Sequence, residues 1–557
     1  MFPVPPVLRN YQPVTAERLK HPEDDNWLMI RRTYDGWGYS PLDQITPANV
    51  ARLKPVWVFS TGETRAHESA PIVNNCVMFV TTPMNQVIAL DAKSGTLLWR
   101  YRKRRPQGSS VPHETNRGIA LYGDKVYFAA GEAALVALDA KTGKEVWTTE
   151  VADNRSSYYM TLAPLVAGGA VLVGASGGEF GIRGFVAAFN PETGKELWRT
   201  YTVPAPGEPG SETWPKGDEW KTGGAPVWVT GNYDPDTNLA YFGTGNGGPT
   251  IGDNRPGDNL YTASTIAFDV ATGAIKGYFQ YHPNDSWDYD EVSPPILVDY
   301  QRNGRTIRGL VDVARDGYVW FLDRANSAGG RIRFVEAKPY VYQNVFKSID
   351  PVTGRPDVDP DHKPGTGKRA DFCPGSHGGK TWPPIAFSPK TRMIYIPANN
   401  NMCSSNMGAK VEYRPGRGFV GITGSRPFTV PGADHFGEVQ AWNVDTGQRV
   451  WTHTYAKSPN WGSMLVTAGG LVLSGGTMDR RLHAFDSVTG KLLWEFPTNS
   501  GILAPPASFL VDGRQYIAVE SGWGGDSRGD QNTLNRLFPG EFPEVPEGGA
   551  VWVFAIP

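Results

Sequence analysis

A short phrase recurs along this chain and constrains its fold more than any other feature of the sequence. In the first copy, Ala89-Leu90-Asp91 is followed by Ser94-Gly95 and then by Trp99. Four further copies keep the order of a small residue, an apolar residue, Asp or Asn, Thr-Gly and Trp, and they close on Trp147, Trp198, Trp451 and Trp494. Copies about 40–50 residues apart with strand-like flanks are typical of a β-propeller, in which each repeat is one four-stranded blade.

Each residue type in the phrase has a local physical role. Asp or Asn opens a turn with its side chain, Gly supplies the positive φ, and Trp on the returning strand packs between blades. Weaker copies stand at residues 267–273 and 321–323, and a last strand-like run covers 550–555. Together these features predict an all-β, eight-bladed β-propeller whose N- and C-terminal strands share one blade.

Charge and composition exclude several classes of function. The 557 residues carry a formal net charge of −2 at pH 7, which favours neither nucleic acid nor an anionic membrane surface as a partner. No apolar run approaches the roughly 18–20 residues of a membrane span. The three cysteines exclude a haem attached through Cys-x-x-Cys-His and a four-Cys zinc site. Cys76 is expected to be a buried thiol, whereas Cys373 and Cys403 form either one disulfide or two free thiols.

The chain is expected to be a single propeller domain over residues 1–557. Residues 1–50 form a lead-in, in which Thr46 and Pro47 predict the start of a short helix over 43–50. Because the first residues lack a basic region followed by an apolar stretch, the chain is expected either to be intracellular or to have lost a secretion signal.

Two insertions rich in Pro, Gly and Asp interrupt the repeat, at residues 203–225 and 337–382. Long loops on a rigid scaffold usually carry function or interactions. Propellers place such loops at one mouth of the central channel. The sequence therefore predicts a functional site at that mouth.

Polar and aromatic residues are concentrated in segments outside the repeat phrase. They are Glu68, Arg117, Thr161, Ser176, Gly177, Gly178, Glu179, Trp228, Asn246, Asp288, Asp290, Arg315, Asn400, Trp461 and Trp523. In order and spacing, these residues resemble the quinoprotein alcohol dehydrogenases, which carry pyrroloquinoline quinone (PQQ). Taken singly, each has an ordinary explanation, such as a core Trp, an Asp that caps a turn or an Arg on the surface. Their joint occurrence in family order favours a cofactor site.

The resemblance implies a propeller that holds PQQ on its axis beside a metal ion. PQQ is a planar tricarboxylic acid, so its site needs an aromatic surface below the ring and polar donors around the edge. Trp228 resembles the stacking surface of the family. The implied edge and wall contacts are Glu68, Arg117, Thr161, Ser176, Gly177, Gly178, Arg315, Asn400, Trp461 and Trp523.

The resemblance also implies a metal site formed by Glu179, Asn246, Asp288 and Asp290. Carboxylate and amide oxygens are hard donors that suit Ca²⁺. Some family members with an extra acidic residue at the position of Asp290 use lanthanides, and some sugar-oxidising relatives with the same Trp-Asp-Tyr-Asp string use divalent ions. The sequence favours Ca²⁺ and leaves a lanthanide open.

The implied reaction is oxidation of an alcohol to a carbonyl compound. Asp288 is expected to remove the hydroxyl proton, and Arg315 to stabilise the oxyanion beside the Lewis-acidic metal. Electrons are expected to leave to a separate acceptor, a cytochrome c or a quinone, since no haem domain follows. The expected substrates are primary and secondary alcohols, polyols and sugars, and the expected location is the periplasm, with a signal peptide removed.

The sequence departs from the family pattern at two places. Many members have adjacent cysteines that form a disulfide ring above PQQ, and Val111 and Pro112 hold those places here. Pro226 stands where relatives usually have a hydroxyl residue. The absence of the ring predicts a roomy site, and the expected absence of a haem domain predicts a single-cofactor enzyme.

Two other functions remain compatible with the sequence. One is a quinoprotein sugar or polymer dehydrogenase of the polyvinyl alcohol type, which differs only in its substrate. The other is a non-catalytic propeller scaffold, because the same blade phrase occurs in outer-membrane assembly proteins that hold no cofactor. A scaffold has no need of Glu179, Asn246 and Asp288 together, which favours the enzyme.

Overall fold

The described part of the chain, residues 5–325 and 329–557 of a computed structural model, folds into mainly antiparallel sheets whose neighbouring strands are mostly consecutive in sequence. Within these residues, eight sheets have four or five strands each. The first four contain Ile72–Asn74, Val77–Thr82, Gln86–Asp91 and Leu97–Arg102; Ile119–Tyr122, Lys125–Ala130, Ala134–Asp139 and Glu145–Glu150; Leu165–Ala167, Ala170–Gly174, Phe185–Phe189 and Glu196–Tyr201; and Asn232–Asp234, Leu239–Gly243, Ser264–Asp269, Ile275–Gln280 and Gly330–Arg331.

The other four sheets follow the same plan. They contain Ile296–Leu297, Gly309–Val313, Tyr318–Asp323 and Arg333–Pro339; Ala386–Ser388, Met393–Asn399, Gly437–Asn443 and Gln448–Tyr455; Met464–Thr467, Leu471–Ser474, Arg481–Asp486, Leu492–Pro497 and Tyr39–Ser40; and Ala507–Val511, Arg514–Ser521, Ala550–Ala555 and Lys54–Ser60. The all-β architecture predicted from the repeat is confirmed. Residues 1–4, the beginning of the predicted lead-in, lie outside the described residues.

The repeat phrase forms the turn between the third and fourth strands of a sheet. In the first copy, Asp91 Oδ1 accepts hydrogen bonds from the backbone N–H of Lys93 at 3.0 Å and of Ser94 at 2.9 Å. The N–H of Gly95 donates to Asp91 O at 2.8 Å. The acidic side chain therefore closes the turn, as the sequence predicts.

In most copies the Gly of the phrase packs against the Trp of the preceding sheet, whereas Gly447 lies against Arg302 and Glu336. Gly95 has a φ of +73°, and a Cβ built on it would lie 2.6 Å from the ring of Trp57. Trp57 Nε1 donates to the Ala92 carbonyl at 3.2 Å. The same packing joins Trp99 to Gly143, Trp147 to Gly194, Trp198 to Gly273 and Trp451 to Gly490. The predicted packing of Trp between blades is confirmed, including the weaker copy that contains Gly273.

The two ends of the chain share one sheet, as predicted. Ala550–Ala555 pairs antiparallel with Arg514–Ser521 on one side and with Lys54–Ser60 on the other. Side chains of Lys54–Ser60 alternate between exposed and half-buried, so this strand lies at the solvent side of its sheet.

Small sheets lie in two insertions of the chain, whereas the predicted insertion at 203–225, all of it within the described residues, contains the 3₁₀ helices Ser211–Thr213 and Glu219–Thr222 and no strand. The hairpin Phe346–Ile349 and Pro356–Val358 lies in the predicted 337–382 insertion, whose first three residues belong instead to the strand Arg333–Pro339. Arg369–Phe372 pairs with Met402–Gly408, which pairs with Ile422–Thr429. A third insertion, residues 400–436, was therefore missed by the sequence interpretation. A disulfide between Cys373 and Cys403 joins it to the 337–382 insertion and decides between the alternatives left open for these cysteines.

Two local expectations from the sequence were wrong. Cys76 is half-buried, because Asn75 and Cys76 form a tight turn with φ of +47° and +65° instead of continuing a strand. The helix expected from Thr46 is a turn, in which Asn49 Oδ1 accepts from Thr46 N at 2.8 Å, and a 3₁₀ helix follows at Val50–Arg52.

Helices are few and short in the described residues. The α-helices are Pro6–Arg9, Ala16–Lys20 and Gly525–Leu537, and the other 3₁₀ helices are Asn154–Ser156, Gly178–Phe180, Ser211–Thr213, Glu219–Thr222, Gly252–Asn254 and Pro360–His362. Within residues 5–325 and 329–557, no helix has both the length and the apolar character needed to cross a bilayer. The helix Gly525–Leu537 was not predicted, and it proves important for the site.

Candidate active site

One cavity of about 230 Å³ gathers most of the predicted site residues. Its wall includes nine of them: Arg117, Thr161, Ser176, Gly177, Glu179, Trp228, Asp288, Asp290 and Arg315. The wall is completed by His113, Tyr159, Pro226, His377 and Asp526.

The strand order explains why distant segments meet here. Each predicted site residue either precedes the first strand of its sheet or follows the second strand. Arg117, for example, precedes Ile119–Tyr122, and Ser176 follows Ala170–Gly174. Because neighbouring strands are antiparallel, the start of the first and the end of the second lie at the same edge of the sheet.

Arg117 lies between two indole rings. Its guanidinium carbon is 4.7 Å from the ring centroid of Trp228 and 4.7 Å from that of Trp382. The guanidinium of Arg315 also lies near Trp228, at 5.8 Å. Such cation–π contacts hold planar groups against one another. Trp382 was not identified from the sequence, although it ends the predicted insertion.

A chain of polar contacts fixes Arg117 in place. Its Nη2 forms an ion pair with Glu68 Oε2 at 2.9 Å, and its Nη1 donates to Thr161 Oγ1 at 2.6 Å. Thr161 Oγ1 is 3.3 Å from Ser176 Oγ and donates to the carbonyl of Trp228 at 3.2 Å. Glu68 therefore lies behind Arg117 and is not part of the cavity wall. Burial raises the pKa of Glu68 although Arg117 opposes that shift.

Four acidic residues line the cavity, and three of them were predicted from the sequence: Glu179, Asp288 and Asp290. Desolvation raises the pKa of each of these three. The charge of Asp290 adds to the rise in the pKa of Glu179, and Asp290 and Glu179 together add to that of Asp288. Carboxyl groups that repel one another in this way favour bound protons or a bound cation.

Asn246 presents an acceptor without a partner beside these acids. Its Nδ2 donates to Thr250 Oγ1 at 3.1 Å, while its buried Oδ1 accepts no hydrogen bond. A Cβ built on Gly178 would lie 3.0 Å from this oxygen, so Oδ1 faces the turn that carries Glu179. An orphaned amide oxygen next to carboxylates is suited to a hard cation. Among the described residues, no three His, Cys, Asp or Glu side chains form a metal site by themselves.

Asp290 connects several parts of the site. Its Oδ1 accepts from the backbone N–H of Asn246 at 2.5 Å, and its Oδ2 accepts from Trp228 Nε1 at 2.9 Å. Arg315 Nη2 lies 3.5 Å from the same Oδ2. One carboxylate thus orients an indole ring, an amide and a guanidinium.

Arg315 is held on the opposite side by neutral acceptors. Its Nη1 donates to the Asp288 carbonyl at 2.8 Å, and its Nη2 donates to Thr381 Oγ1 at 2.9 Å. Burial lowers the pKa of Arg315, but the charges of Asp290 and Asp288 outweigh it and leave the pKa above its usual value. A fixed positive charge therefore persists in the cavity at any physiological pH.

The remaining predicted residues do not line this cavity. Asn400 Nδ2 donates to Glu438 Oε1 at 2.8 Å, Trp461 Nε1 donates to Asp530 Oδ2 at 3.0 Å, and Trp523 Nε1 donates to Gln531 Oε1 at 2.8 Å. Gly178 lies behind Gly177, where the 3₁₀ helix begins. The cofactor contacts assigned to these residues stay predictions.

His377 and Asp526 are wall residues that sequence reasoning missed. His377 Nδ1 lies 2.8 Å from Asp530 Oδ1. Burial alone lowers the pKa of His377, but Asp530 and Asp526 outweigh it and raise the pKa to about 9. The one signal available for His377 is its position in the 337–382 insertion, whereas Asp526 lies on the unpredicted helix.

Comparisons with known proteins point to one family of enzymes. The family model described as "PQQ: Glucose/ethanol/alcohol dehydrogenase, beta-propeller domain" matches residues 27–345 and 453–517. The quinoprotein alcohol dehydrogenase PedH of Pseudomonas putida is 37% identical over 556 residues, which cover 94% of this chain and 89% of that protein. The lanthanide-dependent methanol dehydrogenase of Methylacidiphilum fumariolicum is 38% identical, with 90% and 85% covered.

A solved structure extends the agreement to the fold. A europium-containing methanol dehydrogenase superposes with a TM-score of 0.89 at 35% identity, covering 97% of this chain and 99% of that one. The chain therefore belongs to the PQQ-dependent alcohol dehydrogenases and is an oxidoreductase. This membership sets aside the non-catalytic scaffold that the repeat alone left open.

Proposed function

We propose that this protein oxidises primary and secondary alcohols, polyols or sugars to carbonyl compounds with PQQ and a Ca²⁺ or lanthanide ion. The observation that carries the proposal is the orphaned Asn246 Oδ1 beside three mutually repelling carboxyl groups, next to the Arg117 and Trp228 pair. When bound, PQQ supplies a two-electron acceptor, and the metal ion supplies a Lewis acid.

The residues of the cavity fit a planar tricarboxylate. The half-buried face of Trp228 offers an aromatic surface, and Arg117, Thr161 and Ser176 offer donors within one connected network. Arg117 Nε is buried without a partner, so this donor remains for a ligand carboxylate. We propose that these residues hold PQQ.

The charge balance of the acids fits either metal. Glu179, Asp288 and Asp290 carry three negative charges when ionised, which a trivalent lanthanide neutralises. With Ca²⁺ one negative charge is left over, and Arg315, 3.5 Å from Asp290, offsets it. We propose Glu179, Asn246, Asp288 and Asp290 as the protein ligands, and a metal titration decides between the two ions.

Asp288 is proposed as the base that accepts the substrate hydroxyl proton at a carboxylate oxygen. A cation at the neighbouring oxygens lowers the pKa of Asp288, which desolvation and Asp290 raise in its absence. Arg315 stabilises negative charge that develops in the cavity during the reaction. Its contacts with Asp288 O and Thr381 Oγ1 fix its position for this task.

Several finer features belong to the same proposal. We propose that each of the eight sheets is one blade of a single propeller domain, which the shared terminal sheet supports. The disulfide Cys373–Cys403 supports a periplasmic location, since disulfides persist in oxidising compartments. Electrons are proposed to pass to a separate cytochrome c or quinone. A sugar or polymer dehydrogenase with the same cofactor remains the second candidate.

Reconstitution of the apoprotein tests the proposal. Dye-linked oxidation of ethanol should require PQQ together with Ca²⁺ or a lanthanide, and neither addition alone should suffice. The control is NAD without PQQ, which should give no activity. Activity with NAD alone, or none with PQQ and any of these metals, would overturn the assignment.

A further inference from the structure

One face of the helix Gly525–Leu537 leads from the catalytic cavity to a second, outer groove. Asp526 lines the cavity, whereas Asp530, Thr533 and Leu537 line the groove. These positions are i, i+4, i+7 and i+11, which share one face of an α-helix. Leu537, at the far end, is 39% exposed, so the groove reaches solvent.

The groove has a volume of about 370 Å³ and a mixed polar and apolar lining. Its opposite wall is the three-stranded sheet of the insertions, which contributes Ser404, Phe428 and Thr429. Hydroxyl groups that both donate and accept hydrogen bonds thus alternate with apolar surface. This lining is suited to a hydroxylated organic molecule.

His377 is the residue that lines both the cavity and the groove. Asp530 fixes it, because Asp530 Oδ1 lies 2.8 Å from His377 Nδ1 and Asp530 Oδ2 accepts from Trp461 Nε1 at 3.0 Å. The rings of His377 and Trp461 pack edge to face, with centroids 5.5 Å apart. Asp530 engages Nδ1, so Nε2 is the ring nitrogen left for a bound molecule. With a pKa of about 9, the ring is a cationic donor at neutral pH.

The size of the inner cavity requires a second compartment for large substrates. Its volume of about 230 Å³ is below the roughly 300–1,000 Å³ of sites that hold drug-sized ligands. Under the proposed function the cofactor occupies part of this space. A substrate of more than a few carbons must therefore extend beyond the cavity, and the groove past His377 is adjacent.

We propose that the outer groove is a substrate subsite for polyols and glycosides, and that His377 is a specificity-determining residue that donates a hydrogen bond to a second oxygen of the substrate. The reacting hydroxyl lies in the inner cavity, and the rest of the substrate lies along the helix face that carries Thr533. This inference rests on the proposed function and names the substrate class of the same site.

A pair of neighbouring substitutions tests the subsite. Thr533→Trp fills the groove, whereas Asn532→Trp places the same side chain on an exposed neighbour outside it. In PQQ- and metal-loaded enzyme, Thr533→Trp should lower kcat/KM for sorbitol about tenfold relative to ethanol, mainly through KM. Asn532→Trp should leave both values unchanged. PQQ binding, measured by equilibrium dialysis, should be the same in both variants.

A protection experiment tests occupancy without using turnover. The thiol of Thr533→Cys should react more slowly with a maleimide when sorbitol is present, whereas ethanol should not slow it. Asn532→Cys serves as the matched control, and the wild type reports labelling of half-buried Cys76. Equal labelling rates of Thr533→Cys with and without sorbitol would overturn the subsite.

Variants of His377 test its role in specificity. His377→Leu removes the donor and should lower kcat/KM for sorbitol about tenfold more than it lowers kcat/KM for ethanol. His377→Gln keeps a donor near Nε2 and should restore most of the preference. A loss that is equal for both alcohols, with no rescue by Gln, would show a merely structural role. Wild-type enzyme that oxidises neither alcohol would instead overturn the proposed function.

Discussion

Trp228 Nε1 donates a hydrogen bond of 2.9 Å to Asp290 Oδ2, which ties the aromatic surface of the cavity to one of its acids. The same carboxylate accepts from the backbone of Asn246 through its other oxygen. The positions of the proposed stacking surface and of two proposed metal ligands, Asn246 and Asp290, therefore depend on the same hydrogen bonds. A change at Asp290 should affect both.

Asp290→Ala is expected to weaken PQQ binding as well as metal binding. Removal of the acceptor frees the Trp228 ring, and loss of a hydrogen bond to a charged group is worth about 1.5–3 kcal/mol, or roughly tenfold or more in Kd. Fluorescence titration of the apoprotein with PQQ measures the change. Asp290→Asn keeps one acceptor oxygen, so its PQQ affinity should lie between that of the wild type and that of Asp290→Ala. If a lanthanide is the native ion, Asp290→Ala should lower lanthanide-supported activity much more than Ca²⁺-supported activity. An unchanged PQQ affinity would contradict the coupling.

Asp288→Asn should abolish most turnover while the fold and PQQ binding are kept. The amide cannot accept the hydroxyl proton, and general base catalysis typically contributes about 10²–10⁴-fold to the rate. Steady-state kcat of the loaded enzyme measures the loss, and the melting temperature checks the fold. Wild-type kcat in this variant would remove Asp288 from the role of base.

Much of the fold and part of the site could be predicted from the sequence. Turn chemistry at Asp91 and Gly95 is local, so the repeat phrase correctly indicates a turn and a docked Trp in each copy. Trp228 and Asp288 were found through their resemblance to a family. The helix Gly525–Leu537 could not be found in this way, because its Gly, Asp and Asn residues have low helix propensity and it is held by tertiary contacts such as Trp523 to Gln531.

The role of His377 and the pairing of Cys373 with Cys403 could not be predicted from the local sequence either. Both depend on which segments of the two insertions meet, and nothing in the local sequence specifies that contact. The ion pair between His377 and Asp530 joins residues 153 positions apart. Long-range pairings of this kind follow from the tertiary arrangement of the sheets and not from a motif.

Gly95→Ala should destabilise the protein more than Gly123→Ala. Both glycines have positive φ, +73° and +58°, so each alanine carries a backbone strain of about 1–2 kcal/mol. At Gly95 the added Cβ also meets Trp57 at 2.6 Å, whereas nothing lies within 4 Å at Gly123. Overpacking adds about 1–3 kcal/mol. Urea unfolding measures the difference in the free energy of unfolding. Equal losses in the two variants would show that the Trp57 ring moves aside without strain.

Asp316 should make the stability of the apoprotein depend on pH. Burial raises its pKa from the usual 3.8 to about 8, so the folded state keeps a proton that the unfolded chain releases. This contribution to stability is fully present below pH 3.8 and is lost as the pH rises through about 8. Asp316→Asn is uncharged at every pH and should lose less stability between pH 5 and pH 9. Calorimetry of both proteins at the two pH values checks this, and parallel pH profiles would contradict it.

The substrate range should be broad, because the family resemblance implies a cysteine ring above PQQ and Val111 and Pro112 hold those two places in this chain. Val111 is turned towards Gly131, where a Cβ would lie 3.1 Å from its Cγ1, and His113 is the residue of this segment that lines the cavity. Access is thus not limited by a rigid ring at these two positions. We expect turnover of primary and secondary alcohols, polyols and sugars, with kcat/KM for longer substrates at least equal to that for methanol. Kinetics with methanol, 1-butanol, sorbitol and an oligosaccharide measure the range. Strong preference for methanol without turnover of the larger compounds would show that other residues close the cavity.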